Sequence, residues 1–375
     1  MMAPHAGLER RVLTALEASP PRIPVLLGGC GSGRTTALHA LVDRVGRDQC
    51  QYIDVERAAS TPERFFNAVA TASPFAQTPT FEAPRSAREA FTHTLNYFNK
   101  ARTSSRPATF LLDEVLELRT FESFPGLRHV QRELVQALSE SGNRFVLTSR
   151  YVSRAHRLLR DGAARFEVIL LPPLSAPEVS AMVPPMGETT AEDREALSRA
   201  IQALSDGRAS YVRAISEATA AAGRTADPIS ALTALLTSEG SLAAWCGYRY
   251  ELRLHRARGY GALKAILEIL ADEEPLTLTE ISHRLHRTPG STKDYLSWLE
   301  DVDLVISRQK RYSFVDPLLR LWVRLHCRPV PPGVDEVARE VQSYALARLP
   351  QTEPSLALAG AGASERKGWG IIEID

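Results

Sequence analysis

Short apolar runs alternate with amphipathic helical patterns along the first half of the chain. Each run is rich in aliphatic or β-branched residues, and together they cover residues 24–27, 51–54, 109–113, 144–148 and 166–171. Near-continuous apolar runs are typical of strands buried on both faces, and helical segments between them favour parallel crossovers. The pattern predicts an α/β domain over residues 1–172, built on a parallel five-stranded sheet.

From residue 175 onward the hydrophobic spacing is wholly helical. Helical patterns cover residues 175–183, 191–204, 209–222 and 228–237. Short helices directly after an α/β nucleotide fold stand where a lid would lie. We therefore predict a helical lid and a connecting helix over residues 173–258.

The remaining chain divides into two parts. Residues 259–328 carry three helical patterns followed by two short strand patterns, 304–307 and 312–315, an order that predicts a winged helix. Residues 329–375 read as a linker, a short helix and a tail with an apolar tip. We expect most of that tail to be disordered.

Length and charge limit the classes of protein that fit. A chain of 375 residues is long enough for two or three domains. Lysine and arginine number 45 against 44 aspartates and glutamates, so no global field draws the chain toward nucleic acid or an anionic membrane. Any such binding must come from a local patch.

The cysteines and the N-terminal segment bear on the cellular compartment. The four cysteines lie far apart, without the paired spacing of zinc or disulfide scaffolds. The N-terminal segment has no apolar stretch long enough for a signal peptide or a membrane span. We therefore expect a cytoplasmic protein with no membrane partner.

The segment GGCGSGRTT has the spacing of a phosphate-binding P-loop and lies between a predicted strand and a predicted helix. Glycines let backbone N–H groups wrap a phosphate, and the helix N-terminus adds its positive dipole end. The alternative is a glycine-rich turn without a ligand. The residues expected to contact ATP are Gly28, Gly29, Cys30, Gly31, Ser32, Gly33, Arg34, Thr35 and Thr36.

Two side chains of this loop have specific expected roles. The Thr35 hydroxyl would bind Mg²⁺, and Arg34 stands where the pattern has a lysine that reaches the β- and γ-phosphates. Arginine keeps the charge but is longer and planar, so the exchange is not conservative. We expect nucleotide binding to survive this exchange better than hydrolysis.

Two further strand ends carry candidate catalytic groups. The run TFLLDE ends in Asp113, a candidate Mg²⁺ ligand, and Glu114, a candidate for orienting the attacking water. The run FVLTSR ends in Arg150, which would sense the γ-phosphate or, alternatively, only cap a surface loop. All three motifs are expected at one edge of one sheet.

The predicted winged helix leaves its partner open. Its basic side chains are enough for modest contact with DNA phosphates, while its recognition helix offers one lysine against two acids. DNA contact and a purely structural or protein-binding wing both remain open. The candidate DNA contacts are Arg284, Arg287, Arg308, Lys310 and Arg311.

The C-terminal tip is a second candidate interaction element. It runs from Trp369 to Asp375 and combines aromatic and β-branched residues after a flexible segment. Such a peptide can add a strand to a partner protein or fill a groove, and it can also fold back on its own chain. Both readings stay open, as does assembly into a homo-oligomer.

The combination of motifs resembles a known group of proteins. GGCGSGRTT, TFLLDE, FVLTSR, SDGRASYVRAI and YSFVDPLLRLWVRLH are similar to segments of P-loop ATPases related to AAA+ initiators and STAND proteins, above all the archaeal-type ATPase family. The resemblance implies that Asp113 and Glu114 are a Walker B pair and that Arg150 is a sensor. Ala209 replaces the lid proline of STAND relatives, and Arg208 and Arg213 are either lid contacts or solvated arginines.

Two functions follow from these expectations. The first is an ATP-operated switch with slow hydrolysis, in which Arg34, Glu114 and Arg150 act on the phosphates and the winged helix transmits the nucleotide state. The second is an adaptor without hydrolysis, stabilised by nucleotide, that recruits a partner through its tip. The arginine in the P-loop favours the adaptor, and the intact acid pair favours the switch.

Overall fold

The computed structural model describes residues 6–104, 106–160, 165–185, 190–223, 227–255 and 259–349. Five parallel strands form the main sheet in the order β2-β3-β4-β1-β5, which confirms the predicted α/β fold. The strands are β1 Ile23–Leu27, β2 Cys50–Asp54, β3 Thr109–Asp113, β4 Arg144–Ser149 and β5 Phe166–Leu170.

Helices cover both faces of this sheet. They are α1 Ala6–Glu17, α2 Arg34–Val45, α3 Val55–Ala58, α4 Pro62–Thr71, α5 Ala87–Lys100, a 3₁₀ helix Val115–Ser123, α6 Val130–Glu140 and α7 Val152–Leu159. Successive strand residues point to opposite faces. Leu26 and Leu111 accordingly belong to a core layer with α1 and α2, while Phe110 and Leu112 belong to the opposite layer.

The strand order brings three loops together at one edge of the sheet. Strand β4 lies between β1 and β3, so the loops that follow these strands are neighbours at their carboxyl ends. Ligands of open parallel sheets bind at such an edge, where the strand order reverses direction. The P-loop, the acid pair and Arg150 all lie there.

Five further helices follow the sheet. They are α8 Ala176–Met182, α9 Ala191–Ser205, α10 Ala209–Ala221, α11 Pro228–Leu236 and α12 Ser241–His255. Buried leucine and isoleucine side chains of these helices join the larger core layer of the sheet domain. The helices are therefore packed into one continuous core with the sheet domain.

The C-terminal part follows the order expected of a winged helix, an assignment that stays a prediction. Strand β6 pairs with the β7–β8 hairpin and was not expected, because two residues are too few to show a period. The elements are α13 Tyr260–Asp272, β6 Leu276–Thr277, α14 Leu278–Arg284, α15 Pro289–Asp301, β7 Val305–Arg308, β8 Arg311–Phe314, α16 Pro317–His326 and α17 Val334–Leu346.

Helix α17 packs against the predicted lid and does not stand free in solution. The Tyr344 hydroxyl donates to the carbonyl of Leu204 at 2.9 Å, and Val337 and Val341 are buried. The tip that begins at Trp369 lies outside the described residues. None of the described helices has the length and apolarity needed to cross a membrane.

Candidate nucleotide site

The P-loop takes a backbone path that only glycine follows without strain. Gly31 and Gly33 have φ angles of 79° and 95°, in the left-handed region. A Cβ atom on Gly31 would lie 2.0 Å from the hydroxyl oxygen of Ser210. The loop therefore packs its backbone directly against the start of α10, and α2 begins at Arg34 immediately after the turn.

Arg34 joins the P-loop to the acid pair. Its Nη1 donates to the Gly29 carbonyl at 2.7 Å, and its Nη2 donates to Glu114 Oε1 at 2.5 Å. The guanidinium is buried, with 7% of the residue exposed. Because the two NH₂ groups of a guanidinium can donate to different acceptors, one side chain can hold both partners at once.

Glu114 is held by a second arginine on its other oxygen. The backbone N–H of Arg150 donates to Oε2 at 3.0 Å, and Arg150 Nε lies 3.2 Å from the same atom. Burial opposes ionisation of Glu114, but Arg34 and Arg150 outweigh it and lower the pKa of Glu114 to about 2. The carboxylate is therefore ionised and fully engaged in this conformation.

Asp113 lies beside the P-loop threonine, as the Mg²⁺ prediction requires. The Thr35 hydroxyl donates to Asp113 Oδ2 at 2.7 Å, and the Tyr52 hydroxyl donates to the same oxygen at 2.9 Å. Thr148 donates a short hydrogen bond to Oδ1. Burial and the Asp113 carboxylate raise the pKa of the Tyr52 phenol, so Tyr52 remains a donor.

This pair of oxygen ligands fits Mg²⁺ better than a transition metal. Among the described residues no group of three or more histidine, cysteine or acidic side chains could hold a metal. Mg²⁺ is usually bound through one or two protein oxygens together with substrate phosphates and water. Thr35 and Asp113 would supply that share of the coordination.

Arg150 lies within a cluster of acids at the sheet edge. Besides Glu114 it pairs with Glu56, and its Nη2 lies 3.7 Å from Glu117 Oε1. The nearby acids raise the pKa of Arg150 although burial opposes this. The structure places the side chain at the candidate site and not on an outer surface loop, since only 8% of the residue is exposed.

A cleft of about 310 Å³ opens between the sheet edge and the lid. Its walls include the P-loop, Asp113, Glu114 and Arg150, with Ser210 and Arg213 on the lid side. The hydroxyl of Ser210 is buried and has no hydrogen-bond partner among the described residues. Arg213, which the sequence analysis named as a candidate lid contact, therefore lies at this cleft.

Arg249 on α12 is a site residue that the sequence analysis missed. It lines the same cleft, and its guanidinium lies 3.3 Å from the ring centroid of Trp245. Its Nη1 is buried and unpartnered within the described part of the chain. Burial lowers the pKa of Arg249. The i,i+4 spacing of Trp245 and Arg249 was the available signal.

Arg208 is only partly exposed, with 13% of its side chain accessible, and it contacts the P-loop. Its Nη1 donates to the Cys30 carbonyl of the P-loop at 3.4 Å, and its Nη2 donates to the Val315 carbonyl at 2.7 Å. Its Nη1 also lies 3.6 Å from Asp316 Oδ2. One side chain therefore touches the P-loop and the segment between β8 and α16 of the predicted winged helix.

A second connection involves residues that no sequence motif marked. Arg253 on α12 is buried, donates to the Asp303 carbonyl at 3.4 Å and lies near Cys30. Burial raises the pKa of Asp303 to about 6, against the opposing effect of Arg253 and Arg208. Burial opposes ionisation of Cys30, but surrounding arginines, Arg253 first among them, lower its pKa.

The predicted DNA contacts lie elsewhere and differ in their surroundings. Arg284 pairs with Glu273 at 2.5 Å, and Arg311 donates to the Pro275 carbonyl at 3.1 Å. Arg287, Arg308 and Lys310 are exposed. The basic side chains of the predicted wing are therefore partly engaged within the chain.

Comparison with known proteins supports the fold. No family model and no curated protein sequence matches the chain. It is similar to a Walker-type ATPase of Pyrococcus abyssi, with a TM-score of 0.66 and 18% identity over 86% of this chain and 96% of the other. It also matches the ORC1 protein of Aeropyrum pernix in complex with DNA, at a TM-score of 0.44 and 19% identity over 90% and 93% of the chains.

The first of these likenesses shows a shared fold. With its parallel five-stranded sheet and the P-loop at the sheet edge, the chain has a P-loop NTPase fold. The second likeness, with a TM-score of 0.44, is too low to support a conclusion about this chain.

The buried charges predict a pH-dependent effect of Glu114→Gln. The pKa of Glu114 is lower in the folded chain, so its stabilisation is present above the unfolded value of 4.5 and is lost as pH falls through about 2. Urea unfolding at pH 7 should show the variant less stable by about 3 kcal/mol. The difference should shrink by about half at pH 3.

The matched control is Glu217→Gln on the exposed surface of α10, which should unfold like the wild type at both pH values. A pH-independent difference between Glu114→Gln and the wild type would contradict the assigned ion pairs.

Proposed function

We propose that the protein is an ATP-binding molecular switch that hydrolyses ATP slowly and couples its nucleotide state to the predicted winged helix. The cleft between the sheet edge and the lid would hold the triphosphate. The arrangement of Arg34, Thr35, Asp113 and Glu114 at one edge is the observation that carries this proposal.

The positive charge around the cleft supports a polyanionic ligand. Arg34, Arg150, Arg213 and Arg249 all line it, and the helix N-terminus of α2 adds its dipole. Unpartnered buried donors on Arg34, Arg249 and Ser210 would gain acceptors from phosphate oxygens. Mg²⁺, held by Thr35 and Asp113, would neutralise charge on the phosphates.

Slow hydrolysis follows from the ion pairs of Glu114. A carboxylate that orients an attacking water needs a free oxygen directed at that water. Both oxygens of Glu114 are engaged by Arg34 and Arg150 in this conformation. Hydrolysis would require the two arginines to turn toward phosphate oxygens and release the carboxylate, a rearrangement that competes with strong buried ion pairs.

Coupling to the predicted winged helix would pass through Arg208. This side chain contacts the P-loop carbonyl of Cys30 and the Asp316 carboxylate. Asp316 also accepts from the Tyr211 hydroxyl at 2.7 Å and caps α16. A shift of the P-loop on nucleotide binding would therefore be transmitted to the end of the predicted winged helix.

The second candidate is the adaptor without hydrolysis. The observation that favours it is again the pair of ion pairs that Glu114 forms with Arg34 and Arg150. If these ion pairs never released the carboxylate, ATP would not be hydrolysed. DNA, a protein partner and a second copy of the chain remain candidate partners of either function.

Phosphate release with Mg²⁺-ATP tests the enzyme directly. We expect slow release by the wild type, loss of release to background in Glu114→Gln, and unchanged release in Glu217→Gln. Calorimetry should show that all three proteins bind Mg²⁺-ATP. Equal background release in all three with ATP bound would favour the adaptor, and no ATP binding would end both proposals.

The coupling predicts a specific effect of Asp316→Asn. Asparagine keeps the helix cap but removes the charge that faces Arg208. The three tryptophans within the described residues lie in α12, α15 and α16, so fluorescence reports on the C-terminal half. Mg²⁺-ATP at about 100 times its Kd should raise the wild-type melting midpoint by about 3 to 4 °C by fluorescence and by far-ultraviolet circular dichroism.

In Asp316→Asn the fluorescence midpoint should shift by less than half that amount, while ATP still binds by calorimetry. The control is Asp294→Asn, an exposed residue of α15 that should behave as the wild type. An undiminished fluorescence shift in Asp316→Asn would contradict this route of coupling.

A further inference from the structure

A second cleft, with a volume of about 730 Å³, lies away from the nucleotide site. Its walls are the 3₁₀ helix Val115–Ser123, the start of α6, and α7, with the end of α15 at its border. It has more than twice the volume of the nucleotide cleft, which measures about 310 Å³. Nothing in the proposed switch uses it.

Arginines dominate the lining of this cleft. The two acids, Glu122 and Asp301, are already occupied: Asp301 pairs with Arg157, and Glu122 lies 3.7 Å from Arg119 Nε. The lining includes no lysine. The arginines are Arg119, Arg128, Arg132, Arg154 and Arg157.

Three of the five arginines form no direct ion pair with an acidic side chain among the described residues. Within the described ranges, Arg128, Arg132 and Arg154 form no ion pair shorter than 4 Å and no side-chain hydrogen bond. Arg128 and Arg132 are exposed, while Arg154 is half-buried. Burial, and next the charge of Arg119, lower the pKa of Arg154. An anion bound in the cleft would relieve this repulsion.

We propose that this cleft binds the sugar-phosphate backbone of a nucleic acid. Planar guanidinium groups match phosphate oxygens in pairs, and the side chains of His129 and Gln136 add further hydrogen-bond donors of the kind that contact backbones. The cleft is an open groove with arginines on several elements, which suits a chain of successive phosphates better than one small anion.

The walls of the cleft are continuous with the nucleotide site. The 3₁₀ helix directly follows Glu114, and α7 directly follows Arg150 and Tyr151, whose hydroxyl donates to Glu117 at 2.9 Å. The binding proposal nevertheless does not need an active nucleotide site. It is tested without nucleotide, so that its failure and the failure of the switch remain distinguishable.

The test is fluorescence anisotropy of labelled 20-nucleotide DNA, duplex and single-stranded, with the full-length protein between 50 and 200 mM NaCl. The cleft variant is Arg128→Glu with Arg132→Glu, two exposed positions where folding should be unaffected. We expect affinity to fall at least about tenfold and the slope of log K against log salt to fall by about two.

Two comparisons make the result specific. Arg44→Glu with Arg47→Glu applies the same charge change to exposed positions of α2 and the residues after it, and should change affinity less than about threefold. Arg128→Lys with Arg132→Lys should keep most of the salt slope because the charges remain. Melting curves of each variant confirm that it is folded.

Several outcomes would overturn the proposal. One is the absence of DNA binding by the wild type at 50 mM NaCl. Another is a loss of DNA affinity in the cleft variant that is no larger than the loss in the α2 control. A third is displacement of the labelled DNA by polyglutamate at a lower concentration of charge than unlabelled DNA requires. Loss of binding only in the variant Arg308→Glu, Lys310→Glu and Arg311→Glu would assign the contact to the predicted wing instead.

Discussion

The buried ion pairs of Glu114 with Arg34 and Arg150 are the interaction on which the candidate site depends. They join the three loops that follow β1, β3 and β4, and they hold two positive charges and one negative charge almost out of water. A single partner removed from such a cluster leaves an uncompensated buried charge. The cluster therefore fixes the shape of the cleft in this conformation and also opposes the release of Glu114 for chemistry.

Contacts of buried or partly buried charged side chains also connect the C-terminal half to the P-loop. Arg208 and Arg253 reach from the lid helices to the loop around Cys30 on one side and to Asp316 and Asp303 on the other. These contacts run through side chains that are buried and charged, so small shifts of the P-loop change strong interactions. These contacts are the physical basis of the proposed switch.

Much of the fold and part of the site could be predicted from the sequence. The strands could be predicted because their sequence runs, such as the one that ends at Asp113, are short and apolar. Helical patterns separate these runs from one another. The neighbourhood of Thr35 and Asp113 followed from parallel strand ends meeting at one edge. Strand β6 could not be predicted, because its residues carry no period and pair only through β8.

The lid side of the site was less accessible to sequence reasoning. Arg249 and Asp303 come from elements far along the chain, and their approach to the P-loop depends on how the helices pack. The sequence favoured a solvated helix-start residue for Arg208, because one sequence does not reveal burial. The cleft arginines are likewise spread over three elements, so their charges do not form a run in the sequence.

The most direct measurement of the central claim is steady-state phosphate release by Arg34→Lys at saturating Mg²⁺-ATP, beside the wild type. A lysine keeps the positive charge but has one ammonium group, which cannot hold the Gly29 carbonyl and Glu114 Oε1 as a two-armed guanidinium does. We expect at least about threefold faster turnover, which corresponds to a barrier lower by at least about 0.6 kcal/mol. Equal or slower release, with Mg²⁺-ATP bound as tightly as by the wild type, would contradict it.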